Sequence, residues 1–179
     1  MATINPEATP VSKWPTIWKY SLIIAACSFA YTLLLYITGL VTSSGVSLIS
    51  IVIFVVLLVM AMRKYRSLNS GYMTFGTATI IGIVISIASS VISSALNAFY
   101  LAVIDDSILS VLNEQTLQAL QQSPGMNAEM LDMMSGFYTN FLFTPGGMFV
   151  SGIVSGVIGG VIISLILAAI LKKDPPITG

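Results

Sequence analysis

The chain has 179 residues, 56% of them hydrophobic and only 8% charged, with seven basic and seven acidic side chains, a net charge of zero and no histidine. Soluble domains carry roughly a quarter of their residues as charges, so this composition excludes a sizeable soluble domain and places the chain in a lipid bilayer. Balanced charge without a basic and aromatic cluster gives nucleic acid no electrostatic footprint, and the single Cys27 permits no internal disulfide.

In chain order, residues 1–16 open as a polar tail containing Pro6 and Pro10. The first apolar stretch covers 17–41. Within it, "IAAC" at 24–27 has the residue types of a lipoprotein cleavage box. The apolar run nevertheless continues through "SFAYTLLLYITGL", whereas a lipoprotein turns polar after its lipidated cysteine. An uncleaved helix with a buried Cys27 is the expectation. Thr42 to Gly45 predict a tight turn, and 46–62 then reads as a second span, apolar on every side and therefore facing lipid. Arg63, Lys64 and Arg66 close it, and "SLNSG" separates it from a third stretch at 75–103. As a helix that stretch is about 44 Å long, more than the ~30 Å hydrocarbon core, so its ends protrude.

Residues 104–142 hold two amphipathic segments. Ile108, Leu109, Leu112 and Leu120 mark one; Met130, Met133, Met134, Phe137 and Phe141 mark the other, with Asn127 as N-cap and Glu129 in the first turn. Both are able to lie on a leaflet or on the bundle. The fourth stretch covers 143–171, with Pro145, Gly146 and Gly147 as a helix start, and 172–179 form a second tail. The fold class is thus all-α: a polytopic four-helix membrane bundle with a helical hairpin between its third and fourth spans.

All seven basic residues (Lys13, Lys19, Arg63, Lys64, Arg66, Lys172 and Lys173) fall in or beside the tails and the loop after the second span. By the positive-inside rule both termini are cytoplasmic and 104–142 is external. Trp14, Trp18, Tyr20, Tyr65 and Tyr72 read as an inner aromatic belt, with Tyr36, Phe99, Tyr100 and Tyr138 as an outer one.

Gly82, Ser86, Ser89, Ser90, Ser93, Ser94 and Asn97 form one face of the third helix. Gly152, Gly156, Gly160, Ser164 and Ala168 repeat every four residues on the fourth. Small residues at that spacing let helices approach closely in lipid, so Ser86, Ser90, Ser93 and Asn97 are expected to face Gly152, Gly156 and Gly160 in a packing seam. A water-lined path is the alternative, with Ser21, Ser28 and Thr32 of the first span in support. Against it, the middle of every span lacks an ionisable group of the kind that marks ion pathways. Neither catalytic machinery nor a cofactor or metal site is expected: histidine chemistry is excluded, no phosphate-binding loop is present, and Asp105 with Asp106 reads as a solvated pair.

The stretches "KYRSLNSGYMTFGTA" at 64–78, "AVID" at 102–105 and "SLILAAILKK" at 164–173 resemble a family of small bacterial membrane proteins catalogued as DUF4199, a domain of unknown function. Ser70 stands where that family typically has the first of two glycines, Thr77 where it has Gln and Asp106 where Pro is common. The resemblance implies four helices in the inner membrane and no particular activity. From the residues themselves, the leading expectation is a non-enzymatic integral membrane protein, a scaffold or accessory subunit with a membrane-protein partner or a second copy. The rival is a small transporter or channel subunit using the serine face.

Overall fold

A computed structural model describes residues 11–41, 44–123, 125 and 127–175, the side chains of Ser44 and Ser47 excepted. Helix α1 spans Trp14–Thr38, α2 Ser44–Leu68, α3 Phe75–Val103, α4 Ser107–Gln121, α5 Ala128–Phe137 and α6 Pro145–Leu171, with a π-helical turn at Tyr138–Leu142 ahead of α6. The described residues form no strand, only one antiparallel bridge between Met73 and Lys173. Four helices (α1, α2 from Leu48 onward, α3 and α6) are long and apolar enough to cross a membrane.

Helix ends follow local chemistry more than hydropathy. α1 begins at Trp14, ahead of the expected residue 17, because Pro15 suits a first turn where no intrahelical N–H bond is required. It stops at Thr38 and not at residue 41. Gly39 takes a left-handed backbone (φ 69°), and its N–H reaches the Leu35 and Tyr36 carbonyls. The expected turn falls partly on Thr42 and Ser43, outside the described residues, and Gly45 already lies in α2.

α2 also runs past its expected end at residue 62. Arg63, Lys64 and Arg66 form its last turns, where cations complement the carbonyl end of the helix dipole. The reversal comes after them, at Ser70 (φ 53°) and Gly71 (φ 83°). Thr74 and Thr144 cap α3 and α6, accepting from the amides of Thr77 at 3.3 Å and Gly147 at 3.0 Å.

The core lies toward the basic end of the bundle. Ile17 and Ile24 of α1, Leu58, Ala61, Met62 and Tyr65 of α2, Ala78, Ile81 and Ile85 of α3, and Leu167 and Ala168 of α6 form one buried cluster with Met73. This corrects the reading of α2 as lipid-facing throughout: its second half is buried on one side, whereas Ile51, Val52 and Val56 in its first half are exposed. Tyr65 is likewise no belt residue. It is buried, and its hydroxyl donates to the Val11 carbonyl at 3.2 Å. Trp14 and Trp18 are exposed, as belt residues are. Cys27, expected to be buried, is exposed.

The basic end is closed by main-chain ties. Met73 and Lys173 exchange two N–H···O bonds of 2.8 Å, Arg66 donates to the Leu171 carbonyl at 3.3 Å, and the Lys173 ammonium stands 5.6 Å from the Tyr72 ring centre. Residue 11 joins the same knot through its amide, which donates to Asn69 Oδ1 at 3.1 Å. At the opposite end α1 meets α3 by a Tyr36–Tyr100 ring stack at 6.0 Å, and the Tyr31 hydroxyl donates to the Val46 carbonyl of α2 at 2.7 Å.

Candidate functional site: a serine and glycine seam with a cavity beside it

α3 and α6 run antiparallel and pair in register at four-residue steps. A Cβ placed on Gly82 would stand 2.6 Å from Ser164 Cβ, and one on Gly156 would stand 2.6 Å from Ser90 Cβ. Gly160 lies closer still against Ser86, and Gly152 against the Ser94 hydroxyl. Continuing the register one step pairs Ala78 with Ala168, both fully buried. At each glycine step the missing side chain makes room for a serine, and this lets two backbones approach and gain dispersion contacts along their length. Gly82 is closed in from two helices, since Met62 of α2 also stands 2.8 Å from the position a Cβ would take.

The serines serve α3 first. Ser86 donates to the Gly82 carbonyl at 2.7 Å, Ser90 to Ile87 at 3.0 Å, Ser93 to Ser90 at 3.3 Å, and the Asn97 amide to Ser93 at 2.9 Å. Across the helices the described hydroxyl contact is Ser86 with Ser164, at 3.5 Å. Such back-bonding satisfies a hydroxyl without a partner helix. Shape therefore contributes more to the seam than hydrogen bonding does.

Two of the expected facing residues belong elsewhere. Ser94 takes the place beside Gly152, while Ser93 is turned about 100° around the helix and lines a cavity; Asn97 is half-buried, outside the glycine register, with its Oδ1 unpartnered.

That cavity, of about 360 Å³, lies between α2 and α6 over the middle of α3. Its floor is Ser86, Ser89, Ser90 and Ser93; α6 contributes Gly152, Ser155, Gly156, Gly159 and Gly160; Ser28 of α1 and Ser50 of α2 complete the polar lining, with Ile24, Ile51, Phe54 and Ile163 as the apolar part. It exists because its walls are small residues: a Cβ on Gly159 would meet nothing within 4 Å. All four floor hydroxyls donate to carbonyls of α3 itself, Ser89 to that of Ser86 at 3.2 Å. What the floor offers a ligand is chiefly oxygen lone pairs.

Elsewhere the chemistry is structural. Asp105 Oδ1 accepts from the Ser107 hydroxyl at 2.5 Å and its amide at 3.1 Å, an Asx turn that opens α4. Among the described residues no group of three His, Cys, Asp or Glu is placed to hold a metal ion. Sequence reasoning missed the knot of Arg66, Asn69, Met73 and Lys173 at the basic end. Its key bonds use backbone atoms, which leave no trace in residue type.

Neither the curated proteins nor the solved structures contain a match to this chain. The sequence profile of the family described as "Protein of unknown function (DUF4199)" matches residues 19–173. That span runs from early α1 to the Met73–Lys173 bridge and includes the whole seam. The chain belongs to this family of unknown function, and it does so as a protein with four membrane-spanning helices.

Proposed function

We propose that the protein is a non-enzymatic scaffold or accessory subunit of the inner (plasma) membrane, with both termini cytoplasmic. The observation that supports this most is the way the bundle closes at its basic end. Leu58, Met62, Ile81, Ile85 and Leu167 fill the space between helices, so the serine-lined cavity abuts a dry core on that side. A bundle packed shut at one end, with no charged group in the middle of its spans, suits binding better than turnover or conduction. Its partners are other membrane proteins or a second copy. Crosslinking in native membranes followed by purification tests it: a reproducible stoichiometric partner is expected, and solute flux through the purified protein in liposomes overturns it.

A second reading, a small transporter or channel subunit, draws on the cavity. Substrate sites of transporters lie near the bilayer midplane, and this one flanks the middle of α3 and α6. With hydroxyl oxygens and no charge on its walls, the cavity fits a small uncharged solute bearing hydrogen-bond donors. The same liposome flux experiment, repeated with Gly159→Leu to fill the cavity, separates the two readings: flux abolished by that change supports this one.

A further inference from the structure

We infer that α5 is an interfacial helix whose Met and Phe face is seated in the acyl boundary of the leaflet at the α4–α5 end of the bundle, held there by apolar burial without help from anionic lipid. Met130, Met133, Met134 and Phe137 fall within about 100° of helix circumference, and Phe141 of the π turn continues the row. Met130, Met133, Phe137 and Phe141 are 46%, 69%, 53% and 46% exposed. Glu129 and Asp132 lie outside that arc, so seating the face desolvates no charge.

The other flank of α5 is already in use. Ala128, Leu131, Asp132 and Ser135 line a shared cleft with Leu117 and Gln121 of α4, Asp132 with its side chain still exposed, and Asn113 of α4 exchanges hydrogen bonds with Thr139 of the π turn at 3.1 and 3.3 Å. α4 therefore covers the side away from the Met and Phe row.

What places this row at the bilayer and not in open water is its tether. The π turn folds back on the first turn of α6, with the Phe141 carbonyl directly over buried Gly147, at the point where a membrane-crossing helix begins. The ring contacts of Phe137 with Phe141 at 5.4 Å and of Tyr138 with Phe143 at 5.6 Å give that junction the aromatic character of a membrane interface. Val150 and Val154, in the first three turns of α6, are exposed as well. A helix with a separated apolar face and no Lys or Arg binds through buried area alone, so a zwitterionic leaflet suffices.

The test uses the full chain in phosphatidylcholine vesicles, with Trp14 and Trp18 replaced by Phe and a single reporter introduced as Met133→Trp, Met130→Trp or Asp132→Trp. Circular dichroism and gel filtration establish that each variant is folded. Phosphatidylcholine brominated high on its acyl chains is expected to quench the reporters at 133 and 130 several-fold more strongly than the one at 132, whose emission aqueous iodide quenches instead. Equal quenching at all three positions by iodide overturns the inference. So does a reporter at 133 shielded from both quenchers, the outcome if a protein partner or a second copy covers the face. Loss of the contrast when salt is raised, or a requirement for anionic lipid, overturns the claim that apolar burial suffices.

Discussion

At the scale of single residues, the seam turns on absent side chains. Gly156→Leu would drive a branched side chain into Ser90, whose Cβ is already 2.6 Å from the place a first added carbon would occupy. Overpacking of this kind typically costs about 1–3 kcal/mol, and here the strain falls on backbone held in register above and below. The expected outcome is loss of monodisperse folded protein on detergent extraction. Ser90→Ala keeps the Cβ and gives up a bond inside α3, an effect of about 0.6 kcal/mol or less by analogy with membrane hydroxyls; its melting temperature should lie close to that of the parent. A Gly156→Leu variant as stable as Ser90→Ala would mean that α3 and α6 do not rest on this seam. Ser70 runs the other way. Its φ of 53° places a side chain in the left-handed region, which costs about 1–2 kcal/mol, and a glycine there removes the conflict. Ser70→Gly should raise thermal stability in detergent, and an unchanged or lower midpoint would count against strain at this turn. The four-residue repeat of Gly and Ser was legible in the sequence because one small residue per turn has few other uses in lipid. The choice between Ser93 and Ser94 was not, since it depends on how far α3 is rotated toward its neighbours.

For whole elements, composition was a good guide to existence and a poor one to ends. Long apolar runs must close their hydrogen bonds internally in lipid, so α1, α2, α3 and α6 declare themselves. Their termini depend on single positions, such as Gly39 in α1 and the turn at Ser70 and Gly71 after α2, and hydropathy cannot see these. The buried half of α2 was hidden for a related reason: a helix that is apolar all round shows no preferred face until its neighbours are known. The π turn at Tyr138–Leu142 was also illegible, since it arises from how α5 meets α6. Gly147 is the residue that permits that meeting. A Cβ there would collide with the Phe141 carbonyl, and a backbone atom cannot swing aside as a long side chain does. Gly147→Ala should therefore loosen the junction while α6 itself remains, because alanine keeps the amide that the Thr144 hydroxyl caps. Faster amide exchange at 138–144, with exchange in the middle of α6 unchanged, is the expected signature; protection equal to the parent would show that the junction tolerates the extra carbon.

Over the whole molecule, charge and packing are polarised along the same axis. Every Lys and Arg lies at one end, in the tails, early in α1 (Lys19) or in the last turns of α2 (Arg63, Lys64 and Arg66), and at that end the helices are joined by the Met73–Lys173 bridge, the Arg66 bond to Leu171 and the buried cluster. The opposite end carries most of the acids, the α4–α5 pair and the side of the bundle where α2 no longer covers α6. Arg66 links the two properties, for the same guanidinium that biases orientation also satisfies a carbonyl at the end of α6. In the orientation proposed above, one-sided basic residues put the knot in the cytoplasm. Cysteine labelling tests this orientation without disturbing the seam. With exposed Cys27 replaced by Ser, Gln122→Cys should react with a membrane-impermeant maleimide in intact cells, while Lys172→Cys should react only after permeabilisation. The reverse pattern would invert the bundle, placing the basic knot outside and the α4–α5 pair in the cytoplasm. Because both positions lie beyond the helix ends that pack in the core, neither substitution removes a buried contact, and a change in labelling reports sidedness and not misfolding.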